Sequence, residues 1–283
     1  MNWAKTLAMG LVFAAAVANT GQAADKTLER GTYLMNGIVA CGNCHTPKGP
    51  NGHAVTGQEL AGGLVIDLPM FRAVAPNITP DRETGIGAWT DDQIVQAIRE
   101  GKRPDGTTIG PPMPVEFYRR MSDTDVRAIV AVLRATKPVR NKVEKSVYRM
   151  PLPPSYGPPV TRVPDVLRQN QVVYGRYLAD IGHCLECHTP MVKGQLDQAR
   201  LGGGGRELPA FPGTVLSPNL TGGNPDGLVH WTNAQLKSTI ITGIRPDGRR
   251  LVRLMAFDWY KNIKDDDLNA LVAYSRTLKP VSN

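Results

Sequence analysis

The sequence predicts a mostly α-helical, loop-rich protein built from two tandem domains, and three observations support that fold class. First, the chain repeats itself. Residues 31–34 (GTYL) return as 175–178 (GRYL), shifted by 144 positions, and residues 76–79 (PNIT) return as 218–221 (PNLT), shifted by 142. Second, helix signals are well marked whereas strand signals are poor. Third, 29 glycines and 23 prolines, with only 6% aromatic residues, indicate long connecting loops.

The repeat sets the predicted boundaries: residues 24–139 form the first domain, 140–168 a linker and 169–283 the second domain. The linker carries five prolines between positions 151 and 159, which favours an extended, semi-rigid connector without a helix or a central strand. Four apolar side chains should hold it against the surface of both domains: Val147, Tyr148, Met150 and Leu152.

Residues 1–23 have the pattern of a secretory leader. Lys5 makes the start positive, residues 6–18 form a mostly apolar run, and residues 21–23 (GQA) offer a small-residue cleavage site before Ala24. A retained membrane anchor is the alternative, but about a dozen apolar residues fall short of the roughly 20 that a spanning helix needs. We therefore expect an exported protein in the bacterial periplasm, without a transmembrane anchor after cleavage.

The helix starts and buried faces can be placed in both copies. A threonine followed three residues later by a glutamine forms a capping box, in which each side chain bonds the other residue's backbone. The two boxes are Thr90 with Gln93 and Thr232 with Gln235. Helices 91–100 and 233–242 should follow, each ending at a glycine, Gly101 or Gly243. The last helix of each copy has an apolar stripe that we assign to the core, made of Val126, Ile129, Val130 and Leu133, and of Leu268, Leu271 and Val272.

All four cysteines of the chain lie in two C-x-x-C-H segments, residues 41–45 (CGNCH) and 184–188 (CLECH). The two thiols of such a segment lie about one helical turn apart, so both can add to the vinyl groups of one porphyrin while the histidine reaches its iron. The predicted attachment residues are Cys41, Cys44 and His45 in the first copy and Cys184, Cys187 and His188 in the second. The sequence therefore predicts two covalently bound haem c groups.

Three other uses of paired cysteines compete with haem attachment: a zinc site, a redox-active dithiol and structural disulfides. Zinc would have to gather two cysteine pairs from separate repeats, and a thioredoxin-like dithiol would need a βαβ setting that the sequence lacks. Neither explains why a histidine follows both pairs.

The repeat also identifies a sixth ligand for each iron. Met113 aligns with Met255 at a shift of 142. A thioether is a weak, neutral ligand that favours ferrous iron, so His/Met ligation raises the reduction potential. Met70 and Met121 have no methionine counterpart and are assigned to the surface or the core. The remaining histidines, His53, His183 and His230, are interpreted as solvent-facing or hydrogen-bonded.

Residues 76–81 (PNITPD), 84–87 (TGIG) and 89–90 (WT) resemble the cytochrome c subunits of periplasmic alcohol, aldehyde and sugar-acid dehydrogenases. The resemblance implies two class I cytochrome c folds and a role in passing electrons from a dehydrogenase toward the respiratory chain. Such relatives commonly have three haem domains and a membrane tail, whereas this sequence has two haem motifs and no tail.

The same resemblance implies roles around each haem. The backbone carbonyl near Pro76 or Pro218 should accept the Nδ1 proton of the proximal histidine. Six residues become candidates for contact with the haem propionates: Asn77, Trp89, Arg103, Asn219, Trp231 and Arg245. The alternatives are turn residues for the asparagines, core for the tryptophans and solvated charge for the arginines.

The chain is basic, with a formal charge of +8, or +7 once Lys5 leaves with the leader. Arginines cluster at Arg119 and Arg120 and between positions 245 and 253. A cationic face beside a haem would steer an acidic redox partner, in a fast and salt-sensitive encounter; a solvated basic surface without a partner is the alternative. Nucleic acid is not an expected partner, because no recognition motif is present.

These observations favour an electron-transfer protein over an enzyme. It would take electrons from a dehydrogenase or a small redox donor and deliver them to a downstream cytochrome or a terminal oxidase. The alternative is a dihaem redox enzyme, peroxidase-like, with one open haem. Both repeats, however, offer the same histidine and methionine to iron, and a thiosulfate-oxidising dihaem protein would need a fifth cysteine that the sequence lacks.

Overall fold

The computed structural model describes residues 22, 24–50, 52–209, 213–222 and 228–282. Over these residues the chain is largely helical, with loops and small antiparallel sheets. The helices are α1 (24–36), α2 (Cys41–His45), α3 (Asp91–Glu100), α4 (Val115–Tyr118), α5 (Asp123–Ala135), α6 (Gln171–Ile181), α7 (Cys184–Cys187), α8 (Asn233–Thr242), α9 (Phe257–Tyr260) and α10 (Asp265–Ser275). The strands are β1 (Val65–Leu68), β2 (Phe71–Val74), β3 (Val147–Tyr148), β4 (Met191–Val192), β5 (Gln195–Leu196), β6 (Glu207–Pro209) and β7 (Thr214–Leu216).

The sequence predicts an export leader and no transmembrane anchor after its cleavage. The predicted leader, residues 1–23, lies outside the described residues apart from Gln22. Within the described part of the chain, every helix is too short or too polar to cross a lipid bilayer.

Helices α3 and α8 occupy the predicted residues, and their capping boxes are confirmed. Thr90 Oγ1 accepts a 3.2 Å bond from the Gln93 amide, and Gln93 Oε1 accepts a 2.8 Å bond from the Thr90 amide. Thr232 and Gln235 repeat both bonds at the same distances. Each helix ends at a glycine in the left-handed region, with φ of 63° and 67°, because a side chain there would be strained.

The first helix of each repeat crosses the last one in close contact. A Cβ atom added to Gly31 in α1 would lie 2.1 Å from the carbonyl oxygen of Ala128 in α5. A Cβ on Gly175 in α6 would lie 1.9 Å from the carbonyl oxygen of Ala270 in α10. The glycine that opens both copies of the G-x-Y-L repeat is therefore a packing requirement. The predicted stripes of α5 and α10 are buried, as expected.

The proline-rich segment packs along the first repeat. Strand β3 adds to the edge of the β1–β2 hairpin, and the Tyr148 ring lies 5.9 Å from that of Phe71. The prediction that Val147 is buried is wrong, since its side chain is 53% exposed. Successive residues of a strand point to opposite faces, so the packing of Tyr148 against the hairpin turns Val147 to solvent. Farther along the segment, Arg168 reaches the second repeat and bonds Asp267 at 3.1 Å.

The two repeats share one connected hydrophobic core within the described residues. It joins Leu34 and Ile38 of the first repeat to Leu178 and Ile181 of the second, all at most 2% exposed. Two hydrogen bonds related by the repeat reinforce this contact. Tyr33 Oη donates to Asp267 at 2.7 Å, and Tyr177 Oη donates to Asp125 at 2.6 Å. The contact is therefore two-fold-like, with each first helix bonding the other repeat's last helix.

Candidate haem sites

Each C-x-x-C-H segment forms a short helix that begins at a left-handed residue. Ala40 precedes α2 with φ of 50°, and His183 precedes α7 with φ of 42°. The helical turn brings the two cysteines of each segment to one face, since residues three apart are neighbours on a helix. All four cysteines are free thiols, so the disulfide alternative has no support in this structure.

Both segment histidines are held by a backbone carbonyl, as the resemblance implied. His45 Nδ1 lies 2.9 Å from the Pro76 carbonyl oxygen, and His188 Nδ1 lies 2.8 Å from that of Pro218. A carbonyl only accepts, so Nδ1 carries the proton and Nε2 keeps its lone pair. Burial lowers the pKa of both imidazoles. Each ring is therefore neutral and oriented, which is what a ligand to iron requires.

The thiols do not have the electrostatics of a redox-active pair. Burial raises the pKa of Cys41 and Cys184 to about 12 and that of Cys187 to about 11. Dithiol oxidoreductases instead depend on a lowered thiol pKa. In the part of the chain that the structure describes, no three histidine, cysteine or acidic side chains form a group able to hold a metal ion, so zinc gains no support.

Met113 and Met255 occupy equivalent loops, one before α4 and one before α9. Each carbonyl accepts a bond from the amide two residues on, at 2.8 Å from Val115 and at 2.9 Å from Phe257. Both methionines are partly buried against the core. The two methionines that the repeat aligns therefore have the same local backbone geometry. Ligation of iron by their thioethers stays a prediction.

Met70, Met121 and the three remaining histidines agree with their sequence-based assignments. Met70 is 56% exposed, whereas Met121 is fully buried. His53 and His230 are exposed, and His183 Nδ1 lies 3.1 Å from the Glu186 carboxylate.

The two asparagines named as candidates for contact with the propionates make the hydrogen bonds of turn residues. Asn77 Oδ1 accepts from the Thr79 amide at 3.0 Å, and its Nδ2 donates to the Val139 carbonyl at 2.8 Å. Asn219 makes the equivalent bonds to Thr221 and Val281. Because both amide groups already hold loops together, the structure favours the turn alternative.

The arginine and tryptophan candidates differ between repeats. The Arg245 guanidinium lies 5.3 Å above the Trp231 ring. Its Nε lies 3.4 Å from an Asp247 carboxylate oxygen, in an ion pair without hydrogen-bond geometry among the described residues. Arg103 instead donates to the Thr108 carbonyl at 3.0 Å. Sequence analysis missed Arg134 and Arg276, which donate to the carbonyls of Trp89 and Trp231. Their shift of 142 positions was the available signal.

The two segments meet at the contact between repeats, which the sequence did not predict. The Lys48 ammonium lies 4.5 Å above the Trp259 ring, so the loop after α2 contacts α9 of the other repeat. The His183 ring, at the start of α7, lies edge-on to Tyr118 of α4 at 6.3 Å. Burial raises the pKa of Tyr260, and thiols of both segments, Cys184, Cys187 and Cys44, reinforce the shift. The two candidate sites are therefore neighbours.

Comparison with known proteins places this geometry in context, although no protein-family model matches the chain. The chain is 32% identical to the cytochrome c subunit of the quinone alcohol dehydrogenase of Gluconobacter oxydans, over 99% of its own length and 60% of that subunit. It is 31% identical to the gluconate 2-dehydrogenase cytochrome c subunit of Pantoea cypripedii, over 96% and 64%. It is 28% identical to a dihaem cytochrome c-type protein of Cereibacter sphaeroides, over 85% and 82%. The chain thus spans about three fifths of the length of these two dehydrogenase subunits.

Proposed function

Because the chain is a homologue of the cytochrome c subunits of bacterial alcohol and gluconate dehydrogenases, we propose that it is a periplasmic dihaem cytochrome c. It transfers electrons from a dehydrogenase or a small redox donor to a downstream cytochrome or a terminal oxidase. The observation that carries this proposal is the duplicated C-x-x-C-H helix with its histidine bonded to a backbone carbonyl, at 2.9 and 2.8 Å.

The chain's own residues define two equivalent haem sites. The cysteines of each segment anchor the porphyrin covalently, and His45 and His188 present Nε2 to its iron. Met113 and Met255 would hold the iron through their thioether sulfur atoms. Haem bound in this way supplies one-electron chemistry at iron. The proposed domains are residues 24–139 and 169–283, with 140–168 as the linker and residues 1–23 as the export signal.

Electron transfer is the function that this arrangement supports best. If each iron were held by both a histidine and a methionine, neither site would offer an open position to peroxide or oxygen. The contact between Lys48 and Trp259 and that between His183 and Tyr118 bring the two sites together across the repeats, which supports transfer within the chain. Nothing in the homologues or the geometry favours the peroxidase-like alternative, which needs two different sites.

The direct test is a haem count on the purified protein, expressed with the cytochrome c maturation machinery. The pyridine haemochrome spectrum and the intact mass should both give two covalent haems per chain. Replacing both cysteines of one segment by serine should leave one. A wild-type chain with one haem or none would refute the proposal, and haem lost on extraction with acid and organic solvent would refute covalent attachment.

A further inference from the structure

The two methionine loops present different faces. In the first repeat the proline-rich segment covers the loop before Met113. Tyr148 Oη donates to the Pro111 carbonyl at 3.0 Å, and Tyr156 Oη donates to the Ile109 carbonyl at 2.8 Å. Gly110 is buried beneath this cover, since an added Cβ would lie 2.6 Å from the Tyr148 ring. Within the described residues, a partner protein would meet the linker here instead of the loop.

The equivalent loop of the second repeat is exposed and cationic. Residues 244–258 carry four arginines and two aspartates, a net charge of +2, whereas residues 102–116 carry two basic and two acidic side chains and are neutral. Arg249 and Arg253 each pair with an aspartate, at 2.7 and 2.6 Å. All three arginines between 249 and 253 remain exposed. The excess charge is therefore displayed to solvent.

Two apolar side chains lie among these arginines, just before Met255. Val252 and Leu254 are 45% and 42% exposed. Arg253 and Met255 also line a cleft with Asn43 and Lys48 of the first repeat. Asn43 belongs to the first C-x-x-C-H segment and Met255 to the second candidate site, so this arginine-rich loop lies beside both candidate haem sites. Transient electron-transfer interfaces are small, and a charged rim around an apolar centre is typical of protein contacts.

We propose that the face formed by residues 249–254 is the docking surface for an acidic redox-partner protein, and that the linker closes the matching face of the first repeat. This inference rests on the proposed function and adds to it the place and the charge of the partner. Opposite charge accelerates encounter and orients the partner, and the apolar centre then holds it briefly.

The test compares two triple variants that remove equal charge. One is Arg249→Gln, Arg250→Gln, Arg253→Gln; the control is Arg82→Gln, Lys137→Gln, Lys142→Gln, three exposed cations of the first repeat and linker. Stopped-flow kinetics at low salt follow one electron from the reduced holoprotein to the Cu(II) centre of plastocyanin, an acidic copper protein, giving Cu(I). The docking variant should react roughly tenfold more slowly, and the control less than twofold. Titration calorimetry with copper-free plastocyanin should give the same order of affinities.

The contribution of the arginines can be distinguished from that of the apolar side chains by varying the salt concentration and by a further substitution, Leu254→Ser. High salt should slow the wild type toward the docking variant, because exposed charges are screened. Leu254→Ser should slow the reaction at high salt as well. The proposal is overturned if both triple variants lose rate equally, or if the wild type reacts as fast with basic mitochondrial cytochrome c as with plastocyanin.

Two further outcomes have separate meanings. If the arginines affect only binding to phosphatidylglycerol vesicles, the face is a membrane contact and this inference is wrong. If the wild type exchanges no electron even with a small uncharged reagent, the electron-transfer proposal itself fails.

Discussion

Tyr177 Oη donates a 2.6 Å hydrogen bond to Oδ2 of Asp125, across the boundary between the two sequence repeats. The same carboxylate accepts Nε and Nη2 of Arg30 at 2.8 and 2.7 Å. Tyr33 and Asp267 make the equivalent pair. Asp125 and Asp267 are only 5% and 1% exposed. Buried carboxylates need such partners, so these bonds fix how the repeats pack.

Replacing Tyr177 by phenylalanine should lower the free energy of unfolding by about 1–2 kcal/mol, because the buried Asp125 carboxylate loses a donor. Urea denaturation of the holoprotein measures the change. Tyr156→Phe is the matched control, since its hydroxyl bonds a carbonyl near the surface, and it should cost less. An equal loss in both variants would argue against a special role for the contact between repeats.

Stability should decline in alkali. Burial first, and then the hydrogen bond or charge of an aspartate, raises the pKa of Tyr33 and Tyr177 above the ordinary value of 10.0. Above that pH the unfolded phenols lose protons that the folded ones keep, so the unfolded state binds fewer protons and stability falls. Below it the contribution is fully present. Urea midpoints between pH 8 and 11 should show this decline, and the double variant Tyr33→Phe, Tyr177→Phe should flatten it. If the urea midpoints of the wild type and of the double variant fell in parallel with pH, the alkaline loss of stability could not be attributed to Tyr33 and Tyr177.

Gly175→Ala should be among the most damaging single substitutions, costing about 3 kcal/mol, since its Cβ would meet the Ala270 carbonyl oxygen at 1.9 Å. Gly194→Ala is the control, because it introduces backbone strain without a steric clash. Gly194 has φ of 79° and open space around its Cβ position, so alanine there should cost about 1–2 kcal/mol. The melting temperatures of the two variants should be compared by thermal denaturation. Similar melting temperatures would mean that α6 and α10 can move apart to accommodate the added methyl group.

Local features were predictable from the sequence and distant ones were not. The capping boxes of α3 and α8 lie within four residues, and both helices form as expected. The bond between Tyr33 and Asp267 joins residues 234 positions apart, and no local pattern encodes that pairing. The role of Asn77 could not be decided from the sequence for the same reason, because its acceptor at Val139 lies 62 positions away.

The repeat supplied the long-range information that could be read. It related Met113 to Met255 and the two C-x-x-C-H segments, and the structure places each pair in matching local geometry. It could not reveal how the linker covers one methionine loop, because Tyr148 and Tyr156 lie between the two copies of the repeat and belong to neither.

The near-infrared absorption band of methionine-ligated ferric haem, measured per chain, tests the proposed coordination most directly. The wild type should show two equivalents of the band, and Met113→Ala and Met255→Ala should show one each, with one iron at lower potential and open to small ligands. Met70→Ala, at an exposed position, should keep both. An unchanged band in both ligand variants, or a high-spin haem in the wild type, would contradict two closed, histidine- and methionine-ligated irons.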